Sequence, residues 1–136
     1  MEPTEKSIEE LENDFWPDRK EYPTGLIERC HIYRKIKLKD LQIHQIKTLL
    51  IQDIGSEYLM PIVLERMEKD ITEEDDYDGS SFLQSIDSFS DQIFRRKPEL
   101  RTATSELLDR KQSEIEHLIG RKKYERIKRK MEVKNS

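Results

Sequence analysis

The stretch 48-TLLIQDIGSEYLMPIVLERME-68 decides the fold. Apolar residues recur at helical spacing on both sides of its glycine: Ile43, Ile46, Leu49, Leu50 and Ile54 before it, and Tyr58, Leu59, Ile62, Val63, Leu64 and Met67 after it. A period of 3 to 4 predicts one helix over roughly 43–53 and a second from 56 onward. The second is the most apolar segment of the chain and is expected to be the central helix. Gly55 is placed to end the first helix in a left-handed cap, and Ser56 to restart the chain as an N-cap. Pro61 is expected near the first turn of the new helix, where a missing amide hydrogen costs little.

The flanks extend the same pattern. Upstream, Ser7-Ile8-Glu9-Glu10 is a capping box opening a short helix with Ile8, Leu11 and Phe15 on one side, and Pro17 stops it. Phe15 and Trp16 are expected to anchor this arm to the core. Pro23-Thr24-Gly25 is a turn, followed by Leu26, Ile27, Cys30, Tyr33 and Arg34 at helical spacing. Leu38 and Leu41 bridge to the pair of central helices. Downstream, Ser81-Phe82-Leu83-Gln84 is a second capping box, and a short segment around Asp91 to Phe94 leads to Pro98-Glu99, a strong helix start. Leu100, Ala103, Leu107, Leu108, Ile115, Leu118 and Ile119 continue helically, interrupted at Lys111. Past Gly120 only Tyr124, Ile127 and Met131 stand among lysines and arginines, which suggests an exposed basic helix prone to fraying.

Composition sets the outer bounds. A chain of 136 residues suits one domain, long enough to bury about two thirds of its unfolded surface. With 34% hydrophobic and 40% charged residues, thin helical packing is favoured over a thick sandwich. Four glycines, five prolines and no regularly spaced hairpin signals argue against an all-β fold. The expectation is an all-α single domain over 1–136 of about five to six helices, with a core over 7–108 and a longer, partly exposed basic C-terminal helical extension over 109–136. Cys30 has no disulfide partner, and no apolar run of about 20 residues or signal-peptide core is present. A soluble, reducing, cytoplasmic setting and no membrane partner follow as expectations.

Charge is unevenly distributed. The net value is −4, yet 68–78 holds seven acids and one lysine while 121–134 holds eight bases and two acids. Within 72-TEEDDYDGSSFL-83, a calcium loop with Gly79 in the sixth position would take Glu74, Asp76 and Asp78 as its first ligands. Its twelfth position is then Ser85, so the bidentate glutamate that closes such a site is missing. A flexible linker fits poorly with Tyr77 and Gly79 standing directly before a capped helix. Two readings stay open: a solvated acidic loop that maintains solubility, or a structured acidic surface that meets a basic partner. On the second reading the partner-binding residues are Glu73, Glu74, Asp75, Asp76, Tyr77 and Asp78.

Other constellations carry less chemistry. The run 121-RKKYERIKRK-130 has the composition of a phosphate-contacting surface with Tyr124 interleaved, but bases at a C-terminal helix end also complement its dipole. Adjacent Cys30 and His31 point about 100 degrees apart on a helix and do not form a nucleophile and base. His31, His44 and His117 lack metal-ligand spacing. No phosphate-cradling glycine loop or serine elbow occurs. No catalytic residue, metal ligand or cofactor is assigned, and enzyme activity is not expected.

Five blocks give the chain a resemblance: 9-EELENDFWPD-18, 29-RCHIYRKIKLKDL-41, 48-TLLIQDIGSEYLMPIVLERME-68, 77-YDGSSFL-83 and 97-KPEL-100. In order and spacing they resemble the immunity proteins of bacterial contact-dependent growth inhibition (CDI) systems, over about 7–108 with the tail outside. The turn Gln52 to Gly55 before Tyr58 to Pro61 is the most specific element. Two serines follow Gly79 where an acid would be common in the family, and serine caps equally well. The resemblance implies a small α-helical cytoplasmic protein that binds the C-terminal toxin domain of a cognate effector and blocks it. Many such toxins are nucleases, whose basic clefts would suit an acidic surface. A small nucleic-acid-associated regulator using the basic C-terminal helix is the alternative, although nucleic acid is not the expected partner. The oligomeric state stays open.

Overall fold

Two helices joined at a sharp corner form the centre of the structure, a computed structural model that describes residues 3–132. In chain order the α-helices are α1 (Ile8–Glu12), α2 (Gly25–Tyr33), α3 (Ile43–Ile51), α4 (Ser56–Lys69), α5 (Phe82–Ser85), α6 (Gln92–Arg96), α7 (Pro98–Arg110), α8 (Gln112–Ile119) and α9 (Arg121–Met131). Among the described residues there is no sheet, only an isolated antiparallel bridge between Ser7 and Lys37. The fold is all-α as expected, with nine α-helices among the described residues where about five to six helices were anticipated. The excess arises because 82–96 breaks into two short helices and 98–119 is divided at Lys111.

At the corner the expected cap falls on a different residue. Asp53, not Gly55, takes the left-handed position after α3, at φ 56°. Its amide donates to Leu50 O at 3.2 Å and that of Ile54 to Leu49 O at 2.9 Å, the paired bonds of a Schellman ending. The Asp53 carboxylate is then gripped by both Arg96 nitrogens at 2.8 Å and by the Ser56 hydroxyl at 2.9 Å. The Arg96 guanidinium, with help from Ser56, holds that carboxyl below its ordinary range and ties the corner to α6. Gly55 is left-handed too, at φ 64°, and a Cβ there would stand 2.6 Å from Ile8 Cδ1. Both conformation and close packing of α1 therefore require glycine. Ser56 is the first residue of α4 rather than its N-cap. Pro61 is consequently its sixth residue, beyond the first turn, and leaves the Glu57 carbonyl without a helical donor. Both residues are exposed, so water can satisfy that carbonyl.

The N-terminal arm is held by charge and one ring. Ser7 and Glu10 form the expected capping box, with bonds of 3.1 and 3.2 Å. The helix ends early, at Asn13 in the left-handed region, so Phe15 and Trp16 lie outside it. Trp16 packs 3.9 Å from the guanidinium of Arg34, which is 1% exposed and donates to Glu12 Oε1 at 2.8 Å and Asp14 O at 2.9 Å. Phe15, expected to anchor the arm, is instead 59% exposed.

One apolar cluster runs through the molecule. Leu49, Leu50, Leu59, Met60, Val63, Phe82, Ile86, Leu107 and Leu108 share it with Tyr124, Ile127 and Met131 of α9. The C-terminal helix is thus docked: its apolar stripe is fully buried, and Tyr124 OH donates to Leu108 O at 3.1 Å. Spacings of three and four residues put these side chains on one face, so abundant charge on the other face does not prevent burial. The extension expected over 109–136 continues past the described residues, and 133–136 lie outside them.

Candidate functional site

The acidic stretch is a structured loop between α4 and α5, built from side chains that bond to backbone. α4 ends at Lys69, and Asp70 Oδ1 accepts from the Thr72 amide at 2.9 Å and hydroxyl at 2.6 Å. Ile71 is buried and anchors the first bend. At the far end Ser81 and Gln84 form the expected capping box, with bonds of 3.3 and 3.2 Å. Between them Gly79, at φ 71°, turns the chain so that its amide reaches Asp75 O at 2.8 Å. The Asp75 amide in turn donates to Ser80 O at 2.7 Å.

Asp75 is the pin of this loop. Its side chain is 1% exposed and its two oxygens are occupied by four donor groups. Oδ1 accepts from the His44 amide at 3.2 Å, while Oδ2 accepts from the amides of Tyr77 at 3.0 Å and Asp78 at 3.1 Å. His44 Nδ1 lies 3.0 Å from Oδ2. His44 is the second residue of α3, so the loop supplies a carboxylate to an unsatisfied amide at that helix's positive end. Burial alone would raise the Asp75 carboxyl. Bonds from the backbone of His44 and Asp78, the His44 ring and the Tyr77 amide outweigh it, and the group is held below its ordinary 3.8.

The remaining residues of the stretch separate by environment. Glu74, Asp76 and Asp78 are exposed, with no ion pair among the described residues. Glu73 is half-buried in a forked pair with Arg66, at 3.0 and 2.6 Å. Asp78 accepts from the Ser80 amide and hydroxyl, which hold it below the ordinary range. Tyr77 is 80% exposed and stacks on the His44 ring at 4.9 Å, with Tyr33 edge-on behind it at 6.4 Å. The expectation that all five acids point outward is therefore corrected at Asp75, whose carboxylate is consumed by the loop itself.

Residues that sequence reasoning did not assign complete the surface. Arg29, Tyr33, His44, Lys47 and Ile51 line a cleft of about 360 Å³ with Tyr77 and Asp78. Ile51 is exposed beside them. His44 lies 31 positions from Asp75, and nothing local in the sequence signals the pairing. Among the described residues no group of three His, Cys, Asp or Glu side chains is arranged to hold a metal. Cys30 is buried, which pushes its thiol up and away from thiolate chemistry.

Helix α9 treats its charge differently. Arg121 pairs with Glu125, Arg126 with Asp87, Lys128 with Asp109 and Lys130 with Asp91, at 2.8 to 3.3 Å. Lys123 donates to Gln84 O at 2.9 Å, and Lys130 to the carbonyls of Asp87 and Phe89, both at 2.7 Å. Most of the basic run is therefore spoken for inside the fold.

Fold and loop together define an all-α domain that presents a fixed anionic surface around one exposed tyrosine. The chain belongs to the CDI immunity proteins, whose family model matches residues 10–117. The match extends past the 7–108 span of the sequence resemblance. Comparison with curated proteins and with solved structures gave no match. Immunity to a CDI toxin is thereby the function class, and such proteins act as inhibitors rather than as catalysts. No helix among the described residues is long and apolar enough to cross a membrane.

Proposed function

We propose that this chain binds the C-terminal toxin domain of its cognate CDI effector, a nuclease with a basic cleft, and neutralises it in the cytoplasm by stoichiometric occlusion. Glu74, Asp76 and Asp78 supply the contact charge, Tyr77 the central amphipathic anchor, and Glu73 a rim contact shared with Arg66. Asp75 is a positioning residue. The observation that carries this reading is the inward carboxylate of Asp75, which fixes a loop whose acids Glu74, Asp76 and Asp78 are exposed and in no ion pair among the described residues.

The physical consequence is preorganisation. Fixed acids repel one another in the free protein, and a basic partner relieves that repulsion without a large ordering cost. Their combined field accelerates encounter with a cationic cleft. Tyr77, supported on the His44 ring, offers a large rigid contact at low entropic cost. The regulator reading, with α9 lying along nucleic acid, is weakened by the internal pairing of Arg121, Arg126, Lys128 and Lys130.

The test is co-expression with the toxin domain encoded immediately upstream. Purification of a one-to-one complex and loss of toxicity are expected. A toxin that stays lethal and elutes separately, or a neighbourhood with no toxin gene, overturns the proposal.

A further inference from the structure

Next to the paired bases of α9 lies a cleft in which cationic side chains outnumber the acids. Arg95 of α6, Arg101 of α7 and Arg129 of α9 line a cleft of about 510 Å³, joined by Arg126 and Lys130. None of Arg95, Arg101 and Arg129 is in an ion pair among the described residues, whereas Arg126 and Lys130 are held by Asp87 and Asp91. Asp91 and Glu132 also border the cleft, which leaves five cationic side chains against two carboxylates in a chain of net charge −4. The Nε of Arg101 is buried and has no hydrogen-bond acceptor. A donor removed from water without an acceptor is costly, so the fold leaves the Arg101 guanidinium incompletely satisfied at the cleft wall.

We propose that this cleft binds a phosphate-bearing small ligand, through guanidinium forks contributed by Arg95, Arg101 and Arg129. Guanidinium geometry matches phosphate oxygens two at a time, which an ammonium cannot do. Arg95, Arg101 and Arg129, from three helices, line a volume within the range of small-ligand sites. A nucleic-acid surface would instead need unpaired bases in a stripe that tracks a backbone, and on α9 that stripe is neutralised. Phe94, the aromatic ring of the cleft, is buried and does not stand out to stack a base. The cleft shares no lining residue with the loop site, so this proposal stands or falls independently of toxin binding.

Titration calorimetry of the full chain with pyrophosphate, a nucleoside diphosphate and a short single-stranded RNA tests it. One-to-one binding of the two small phosphates is expected, weakened about tenfold or more by Arg101→Gln and by Arg101→Lys, which keeps the charge but loses the fork. Arg129 is exposed, so Arg129→Gln should fold normally and gives the same loss even if the Arg101 variants do not fold. Lys122→Gln, outside the cleft on the same helix, should leave binding unchanged. Absence of binding by both small phosphates overturns the proposal. So does equal weakening by Lys122→Gln, or affinity that appears only with RNA and grows with its length.

Discussion

The loop after α4 and the helix α9 carry opposite charge of the same size, −6 over 68–78 and +6 over 121–134, and the fold uses the two runs in opposite ways. In the loop one carboxylate turns inward and fixes the backbone, and three of its neighbours are left facing water. On α9 an apolar stripe docks the helix, and acids from α7, from the segment after α5 and from the start of α6 neutralise its bases. Net charge of a run therefore does not locate an interface. On the proposed reading, an interface is marked instead by charge for which the fold supplies no partner.

The largest effect expected from breaking this contrast falls on α9, the region whose sequence looks most like a detachable tail. Ile127 is fully buried, and Ile127→Ala is expected to lower stability by about 3 kcal/mol, the range for a core isoleucine truncation. Urea unfolding measures it. A loss below about 0.5 kcal/mol would mean that the helix is an appendage, since surface changes stay within that limit.

Next in size is Asp75→Asn, which keeps the shape but turns an amide NH2 toward donors that now meet an oxygen. About 2 kcal/mol should be lost near neutral pH, the scale of hydrogen bonds to a charged acceptor. The sign of the pH dependence follows from the depressed carboxyl. Its contribution is complete above the unfolded-state value near 3.9 and fades as pH falls through the lower folded-state value. Wild type and variant should thus converge in stability at low pH. A gap that persists through that range would assign the loss to shape rather than to charge.

The outward acids are expected to behave in the reverse way. Changing Glu74 and Asp76 together to lysine should leave the melting temperature nearly unchanged, since both are exposed and neither has an ion pair or side-chain hydrogen bond among the described residues, whereas Asp78 also holds Ser80. Association with the toxin domain should slow by about tenfold at low salt, with the difference shrinking as salt screens the field. Stopped-flow association at two ionic strengths reads both quantities. Unchanged association would leave the loop a solubility device.

Much of the backbone plan was legible because its signals are local. The capping boxes at Ser7 and Ser81 each join residues three apart, and Pro98 at a helix start needs no distant partner. Errors arose where a distant group decided the outcome. Asp75 turns inward because His44, 31 positions away, presents an amide and a ring nitrogen to it. Asp53 takes the left-handed cap that Gly55 was expected to hold, with its carboxylate held by Arg96, 43 positions on. Charge misled the reading of α9 in a similar way, because Asp87 and Asp109 lie on other elements.

The smallest expected effect sharpens the comparison most finely, since it separates pairing that holds structure from pairing that only removes charge. Arg121 and Glu125 form an exposed i,i+4 pair in the first turns of α9. Arg121→Gln should change stability by no more than about 0.5 kcal/mol, the usual worth of such pairs. Lys130 differs, because its ammonium also closes the carbonyls of Asp87 and Phe89 while half-buried. Lys130→Met should therefore cost more than Arg121→Gln in the same urea assay, by roughly 1 kcal/mol or more from the carbonyls left without donors. Equal effects would mean that α9 is held by its apolar stripe alone and that its cations do no more than cancel neighbouring acids.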